Sequence, residues 1–182
     1  MGWDAEMAGD DADGGGRDDE APTHSPPDSL LLDLMLGTLA TYLRMCGYNA
    51  AYAGDRGIEA DDRLFDLSRT ENRTLLTRDR DLAARTDGAV LLTAREVEAQ
   101  LGELAAAGFE LSLPGDPSRC GGCNGVLDPL SAEDPRPAYA PDDEPAWRCR
   151  DCGQVFWRGS HWDDVAARLE RARSAVGDGE ER

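Results

Sequence analysis

Four cysteines in two matched pairs constrain the fold of this chain more than any other feature. Cys120 and Cys123 form one Cys-x-x-Cys pair, and Cys149 and Cys152 form a second one after the intervening residues 124–148. Two such pairs can present four thiolates at the corners of a tetrahedron around Zn²⁺. The spacing also allows two disulfides or a redox-active pair, but nothing in the sequence marks a secreted protein. We therefore predict a structural zinc ribbon over residues 116–175, including a terminal helix.

The charge composition is unusual. The formal net charge is −18, and all 19 basic residues are arginine. Without lysine, the chain has no Walker-type phosphate loop, no Schiff-base lysine and no lysine general base. A strongly acidic, lysine-free composition indicates adaptation to high intracellular salt, because surface carboxylates keep a protein hydrated and soluble.

Two further expectations concern location and order. The sequence has no apolar run of the length that a membrane span needs, and its amino terminus does not resemble a signal peptide. We expect a cytoplasmic protein with no membrane partner; the sequence sets no oligomeric state. Residues 1–28 are rich in acid, glycine and proline, so a disordered acidic tail is predicted there.

Alternating strands and helices predict an α/β domain over residues 29–115. Short apolar runs predict buried strands, and leucines at helical spacing predict the helices between them. Strands that alternate with helices indicate a parallel sheet covered on both faces. The predicted strands are 30–32, 48–53, 74–77 and 89–92, with 109–113 as a further candidate. The predicted helices are 35–46, one capped by Asp61 or Asp62 that runs to 70, a turn from 78, one capped by Thr93 that ends at Gly108, and 163–173.

Aspartates lie where strands of this predicted sheet end. Asp33 follows the first strand, Asp79 and Asp81 follow the third, and Asp62 begins a crossover helix. Functional groups collect beyond the carboxyl ends of parallel strands, and converging carboxylates need a counter-charge. We predict that Asp33, Asp62 and Asp79 hold Mg²⁺ or Mn²⁺, with Asp81 as a fourth catalytic candidate. Taken singly, an aspartate after a strand is usually a helix cap or part of a solvated loop, so the prediction rests on the combination.

Arginines cluster in the same region. Residues 63–85 contain six arginines against four acids, a local excess of positive charge in an acidic chain. Arginine binds phosphate bidentately and stacks on bases, which favours Arg78 and Arg80 as RNA contacts. Ion pairs with neighbouring carboxylates are the alternative.

Several segments resemble the Mut7-C RNase domain family, a PIN-like group with an appended zinc ribbon. They are the Asp33 to Tyr48 segment with its Met-Leu-Gly sequence, the Asn72 to Leu82 segment with Thr-Arg-Asp-Arg, the cysteine pairs, and the Trp157 to Trp162 tail. The resemblance implies a PIN-like fold, bound divalent metal and ribonuclease activity. By position, Asp33, Asp62 and Asp79 correspond to the family's acids, although either Asp61 or Asp62 can be the residue that faces the site. Arg44, Arg158 and His161 lie in the matching segments and are predicted to contact RNA.

Three functions remain in view from the sequence. The first is a metal-dependent ribonuclease whose zinc ribbon helps to bind RNA. The second is a non-catalytic RNA- or ribosome-binding zinc module, and the third is a redox or metal-trafficking protein. The sequence identifies neither the RNA nor the choice between endonuclease and exonuclease action.

Overall fold

The computed structural model describes residues 28–177, so the predicted acidic tail lies outside the described residues except for Asp28. Within this range the elements alternate between strands and helices, and then give way to a second, antiparallel set of strands. The strands are β1 Ser29–Leu32, β2 Asn49–Tyr52, β3 Thr74–Thr77, β4 Val90–Leu91, β5 Leu127–Pro129, β6 Ala146–Cys149 and β7 Val155–Trp157. The helices are α1 Gly37–Met45, α2 Asp61–Thr70, α3 Arg80–Arg85, α4 Val97–Ala106 and α5 Ser160–Gly177, and a 3-10 turn precedes α1.

The first four strands form a parallel sheet in the order β2-β1-β3-β4. The central strand β1 is fully buried from Leu30 to Leu32, as expected for a parallel strand covered on both faces. Leu31 pairs with Ala51 on one side and with Leu75 on the other. Its neighbours Leu30 and Leu32 point to the opposite face because successive side chains alternate along a strand.

Helices cover both faces of this sheet. Leu30 and Leu32 belong to a large apolar cluster that also includes buried residues of α1, α4 and α5. Leu31 belongs to a smaller cluster with Leu64 of α2 and Leu82 of α3. The predicted fold class, a parallel sheet flanked by helices and followed by a cysteine cluster near the carboxyl end, is confirmed.

The second sheet is small and antiparallel, in the order β5-β6-β7. One cysteine pair precedes β5; of the other pair, Cys149 is the last residue of β6 and Cys152 lies in the turn before β7. Cys120, Leu127, Trp147 and Cys149 form a buried cluster of their own. Such a core is too small to hold a module together without help, which is the usual reason for a structural metal.

The terminal helix returns to the first sheet. Val165, Leu169 and Ala172 of α5 are buried in the large cluster with the leucines of α4, and Arg171 pairs with Glu98. Helices α4 and α5 thus share one apolar core, and the ribbon strands β5–β7 lie between them in the sequence. The predicted domain limits at 115 and 116 stay a prediction.

Three local predictions differ from the structure. Helix α4 begins at Val97 after Glu96, and Thr93 instead donates its backbone N–H and its hydroxyl to Glu103. Helix α2 has Ala60 at its N-cap position without a side-chain cap, so Asp61 lies within the first turn. Residues 109–113 form no strand, although Phe109 and Leu111 are buried. Alternating burial in that segment comes from packing alone, without a hydrogen-bonded ladder.

Candidate metal centre and active site

The four cysteine thiols converge on one point. Their sulfur atoms all lie within 4.8 Å of one another. The Cys120–Cys152 sulfur distance is 3.8 Å and the Cys123–Cys149 distance is 3.5 Å. Four sulfurs bound tetrahedrally at ordinary zinc–thiolate lengths are about 3.8 Å apart, so the cluster matches the geometry of a Zn²⁺ site. A site with four protein ligands leaves no position for water or substrate, which indicates a structural metal.

Backbone geometry beside the thiols restricts which residue types can occupy positions 124 and 125. A side chain at Gly125 would place its Cβ 2.6 Å from both the Cys149 sulfur and an Asp151 carboxylate oxygen. Asn124, the preceding residue, adopts a positive φ of 68°, a conformation that asparagine tolerates better than most residues. The turn after Cys123 is therefore fixed by two residue types that suit it.

The thiols differ in their electrostatic surroundings. Burial raises the pKa of Cys120 to about 12. Burial also acts to raise the pKa of Cys149, but hydrogen bonds from the backbone N–H groups of Cys152 and Asp151 and from the thiols of Cys123 and Cys152 together outweigh it, and the pKa is lowered. A bound cation deprotonates coordinating thiols outright, so occupancy by zinc removes this difference.

A buried arginine connects the first cysteine pair to the parallel sheet. Arg44 on α1 is only 3% exposed. Its guanidinium donates to the carbonyl oxygens of Ala50, Gly121 and Gly122, and pairs with Asp55 at 2.8 Å. This contradicts the predicted RNA contact of Arg44, because the side chain is buried and already committed to protein acceptors. The proposed RNA surface therefore excludes it.

Asn124 makes a second connection at the same place. Its side-chain oxygen accepts the backbone N–H of Ala50 at 2.9 Å, and its amide nitrogen donates to Asn49 at 2.8 Å. Both partners lie on β2, the edge strand of the parallel sheet. The cysteine turn thus covers a strand edge that would otherwise expose unpaired backbone groups.

Asp33 and Asp79 lie just beyond the carboxyl ends of β1 and β3. Asp33 is 8% exposed, and its carboxylate accepts the hydroxyl of Thr77 at 2.7 Å and the N–H of Leu34 at 2.6 Å. The Thr77 oxygen in turn accepts the backbone N–H of Asp79 at 3.0 Å. Thr77 is fully buried and links the two predicted acids. Sequence reasoning did not assign a role to Thr77, although its position at the end of a strand between two aspartates could have suggested one.

Asp79 also has a structural task. Its side chain accepts the N–H of Leu82 at 2.8 Å and so caps α3. Both the functional and the capping alternatives thus remain for this residue, because an N-cap carboxylate keeps other lone pairs free.

Asp62 and Asp81 occupy a different position from the first two acids. They line a shallow depression of about 490 Å³ together with Asp61, Leu82 and Arg85. Asp62 pairs with Arg85 at 2.7 Å, and its side chain is 85% exposed. Asp33 and Asp79 are not among the described residues that line this depression. The structure therefore places the four predicted acids in two groups at the same side of the sheet.

No second metal cluster accompanies the cysteines in the part of the chain that the structure describes. The aspartates do not converge as closely as the thiols. The chemistry of these ligands nevertheless fits a hard divalent cation, since Asp33 and Asp79 offer the carboxylate oxygens that Mg²⁺ and Mn²⁺ prefer.

The side chains of the other predicted RNA contacts differ in their exposure and in their protein partners. Arg78 has its Nε buried without a hydrogen-bond partner, and neither Arg78 nor Arg80 forms an ion pair with another described residue. The guanidinium of Arg158 lies 5.5 Å from the ring centre of Trp147. His161 is exposed and lines a cleft beside the ribbon. RNA contacts at these four residues stay a prediction.

Comparison with known families connects these features. A family model described as Mut7-C RNAse domain matches residues 28–169, which is more than half of the 182-residue chain and takes in both the parallel sheet and the cysteine cluster. No curated protein and no solved structure gives a significant match. None of the helices described is long and apolar enough to cross a membrane. The chain belongs to the Mut7-C RNAse domain family.

Proposed function

We propose that this protein is a metal-dependent ribonuclease that hydrolyses RNA phosphodiester bonds at the carboxyl edge of its parallel sheet. Membership of the Mut7-C RNAse domain family implies a ribonuclease-like function. The cysteine cluster, as a closed site, stabilises the ribbon and takes no part in the chemistry. The reaction is assigned instead to Asp33 and Asp79, with Asp62 and Asp81 beside them.

One observation carries the proposal: Asp33 and Asp79 follow adjacent parallel strands, and the buried Thr77 hydroxyl donates to the Asp33 carboxylate and accepts the backbone N–H of Asp79. A buried carboxylate is costly unless it is hydrogen-bonded or paired with a cation. Asp33 has two donors from the protein, which fix its orientation and leave further lone pairs available. Thr77 is therefore a positioning residue for the Asp33 carboxylate.

The residues at this edge fit a bound Mg²⁺ or Mn²⁺, with Asp33 and Asp79 as holders. When bound, such an ion supplies charge neutralisation at phosphate and an activated water. Arg78 and Arg80 supply positive charge beside the two acids and bind the phosphate oxygens of the RNA. Asp62 is held by Arg85 on the adjoining surface, where RNA phosphate can compete for the arginine.

A non-catalytic RNA-binding module is the second candidate. One observation favours it: the carboxylates of Asp62 and Asp79 already have protein partners, and they do not gather as the thiols do. In that case the same surface binds RNA without cleaving it.

Cleavage by matched variants separates the two functions. The zinc-loaded wild type is incubated with cellular RNA and Mn²⁺, beside Asp33→Asn, Asp79→Asn, Asp62→Asn and the control Asp66→Asn. Asp66 lies one turn after Asp62 on α2 and is exposed, and its substitution by asparagine removes the same charge as the other variants do. We expect cleavage to fall by more than about 100-fold in the Asp33 and Asp79 variants, since even residues that only orient metal ligands cost 10- to 100-fold. The Asp66 variant should cleave like the wild type.

Zinc content and the thermal midpoint of each variant establish that the fold is intact. If Asp33→Asn and Asp79→Asn are folded and cleave RNA at the wild-type rate, the assignment of the reaction to this edge is wrong. If the wild type binds RNA in Mn²⁺ and forms no product, the non-catalytic function is correct.

A further inference from the structure

An aromatic cleft lies between the ribbon and helix α1, away from the aspartates. Its volume is about 550 Å³, which falls within the usual size of small-ligand pockets. Thr41 and Met45 of α1 form one wall, and residues of the ribbon and the start of α5 form the other. Five aromatic side chains line it: Tyr139, Trp147, Phe156, Trp157 and Trp162.

The aromatic rings are only partly used by the fold. Trp147 is buried at 4% exposure and belongs to the ribbon core. Tyr139, by contrast, is 60% exposed and lies against Trp157 with ring centres 5.9 Å apart. Trp162 at the start of α5 is half-buried. Tyr139 and Trp162 therefore offer ring surface that the core of the protein does not need.

The charge around the cleft contrasts with the rest of the chain. Acids make up 37 of the 182 residues, yet none of the 17 described residues that line the cleft is acidic. The basic side chains among them are Arg119 and His161. A cleft of this kind is suited to a planar ligand that carries negative charge nearby, because aromatic faces stack on it and no acidic side chain is among the described residues that line the cleft.

Helix α1 leads from the proposed active edge to the cleft. Thr41 follows Gly37, the first residue of α1, by four residues, which is about 6 Å along the helix axis at a rise of 1.5 Å per residue. The 3-10 turn before Gly37 begins directly after Asp33. The buried aspartate and the cleft wall are therefore separated by one short turn and the first part of α1.

We propose that this cleft holds an unpaired nucleobase of single-stranded RNA, stacked on Tyr139 and Trp162, while the adjoining strand reaches the Asp33 edge. The inference rests on the proposed ribonuclease function for the identity of the ligand, and it makes single-stranded RNA the substrate class. A base within a duplex is stacked on its neighbours and cannot enter such a cleft. The cleft selects by stacking and so tolerates different bases.

Binding and cleavage are measured separately on the zinc-loaded full chain. A short fluorescent oligouridine, alone or annealed to oligoadenosine, is titrated without added Mg²⁺ or Mn²⁺, and fluorescence anisotropy gives the affinity. The variants are Tyr139→Ala, Trp162→Ala and the matched control Tyr139→Phe, which keeps the ring and removes only the hydroxyl. Each alanine variant should weaken binding of the single strand by about tenfold, whereas Tyr139→Phe should bind like the wild type.

The two proposals fail in different ways. If RNA is cleaved in Mn²⁺ but both alanine variants bind and cleave oligouridine like the wild type, the cleft has no role and the ribonuclease proposal stands. If the alanine variants bind weakly but the wild type never cleaves, the cleft assignment stands and the ribonuclease proposal falls. Equal affinity for duplex and single strand, or no binding of oligouridine at all, overturns the cleft assignment. Tyr139 is exposed in a loop, so its variants test the inference even if Trp162→Ala does not fold.

Discussion

The cysteine cluster and the aspartate edge offer metal ligands in two different states. The four thiols face one another across a space that fits a zinc ion, and their sulfur atoms approach within 4.8 Å. The carboxylates of Asp33, Asp79 and Asp62 are instead held by a hydroxyl, backbone N–H groups and an arginine. The first site has the closed, four-ligand arrangement of a structural metal site. At the second, a bound cation would compete with these protein partners for the carboxylate oxygens.

The two regions are also stabilised differently. The parallel sheet has a large apolar core that includes helices from both ends of the described chain. The ribbon has a small cluster with two cysteines in it. This difference predicts that metal removal and point substitutions act unequally on the two regions.

Zinc removal should have the largest effect. We expect one zinc per chain, and a binding free energy on the order of 10 kcal/mol in small zinc peptides means that its loss unfolds the ribbon. Cys149→Ser should abolish stoichiometric zinc, while Cys46→Ser, at a half-buried cysteine outside the cluster, should keep it. Metal analysis and near-ultraviolet circular dichroism of the ribbon tryptophans measure both effects. A metal-free protein with unchanged tryptophan signals would show that zinc does not stabilise this region.

Arg44 tests whether the two regions are joined as described. Arg44→Met leaves the carbonyl oxygens of Ala50, Gly121 and Gly122 without this donor, and we expect a loss in the free energy of unfolding of about 1–3 kcal/mol for each of them that stays buried and unsatisfied. Asp55→Asn should cost less than about 1 kcal/mol, because that carboxylate is well exposed. Chemical denaturation followed separately by ribbon tryptophans and by total helix content checks this. Equal, small losses for both variants would mean that Arg44 does not join the regions.

Thr77 tests the hydrogen-bonded link at the proposed active edge. Thr77→Val removes the buried hydroxyl between Asp33 and Asp79 while keeping the shape, and we expect a loss of about 1–3 kcal/mol. Thr77→Ser keeps the hydroxyl but loses the methyl group, so it should retain more of the wild-type Mn²⁺-dependent cleavage rate than of the wild-type stability. Urea denaturation and initial cleavage rates give the two quantities. If valine and serine variants cleave alike, Thr77 has no positioning role.

Glu71 gives the smallest predicted effect, through pH. Hydrogen bonds from Arg56 and Arg73 lower the pKa of Glu71 from its usual 4.5, with burial acting in the opposite direction. A lowered folded-state pKa adds stability above the unfolded-state value, and this contribution is lost as the pH falls through the folded-state pKa. Glu71→Gln should therefore be less stable than the wild type by under about 1 kcal/mol at neutral pH. The gap should close in strong acid, as measured by thermal midpoints; a gap that is constant with pH would contradict this cause.

The sequence predicted best what depends on short-range pattern. Leucine runs predicted β1 and β3, and each Cys-x-x-Cys pair orients two thiols by itself, so the cluster of four cysteines was predicted without knowledge of the fold. Contacts between distant parts of the chain were harder. The pairing of Asp62 with Arg85, and the burial of Arg44 against the cysteine turn, depend on how α1, α2 and α3 pack.

Residues 109–113 show why burial patterns mislead. Phe109 and Leu111 face the core as they would in a strand, but the backbone N–H of Glu110 donates to the Tyr48 hydroxyl instead of to a neighbouring strand. Alternation reports which side chains are buried and not where the backbone hydrogen bonds go. The cytoplasmic, salt-adapted setting inferred from composition stays a prediction.

Binding of Mn²⁺ to the zinc-loaded protein tests most directly whether the aspartate edge is a second metal site. Electron paramagnetic resonance measures free Mn²⁺ during a titration of the wild type, Asp33→Asn, Asp79→Asn and the control Asp66→Asn, with zinc content determined at the end. We predict that the wild type and the Asp66 variant bind Mn²⁺ without losing zinc, and that the Asp33 and Asp79 variants do not bind it. Wild-type affinity for Mn²⁺ in Asp33→Asn, or no Mn²⁺ binding by the wild type, would show that the aspartate edge is not a second metal site.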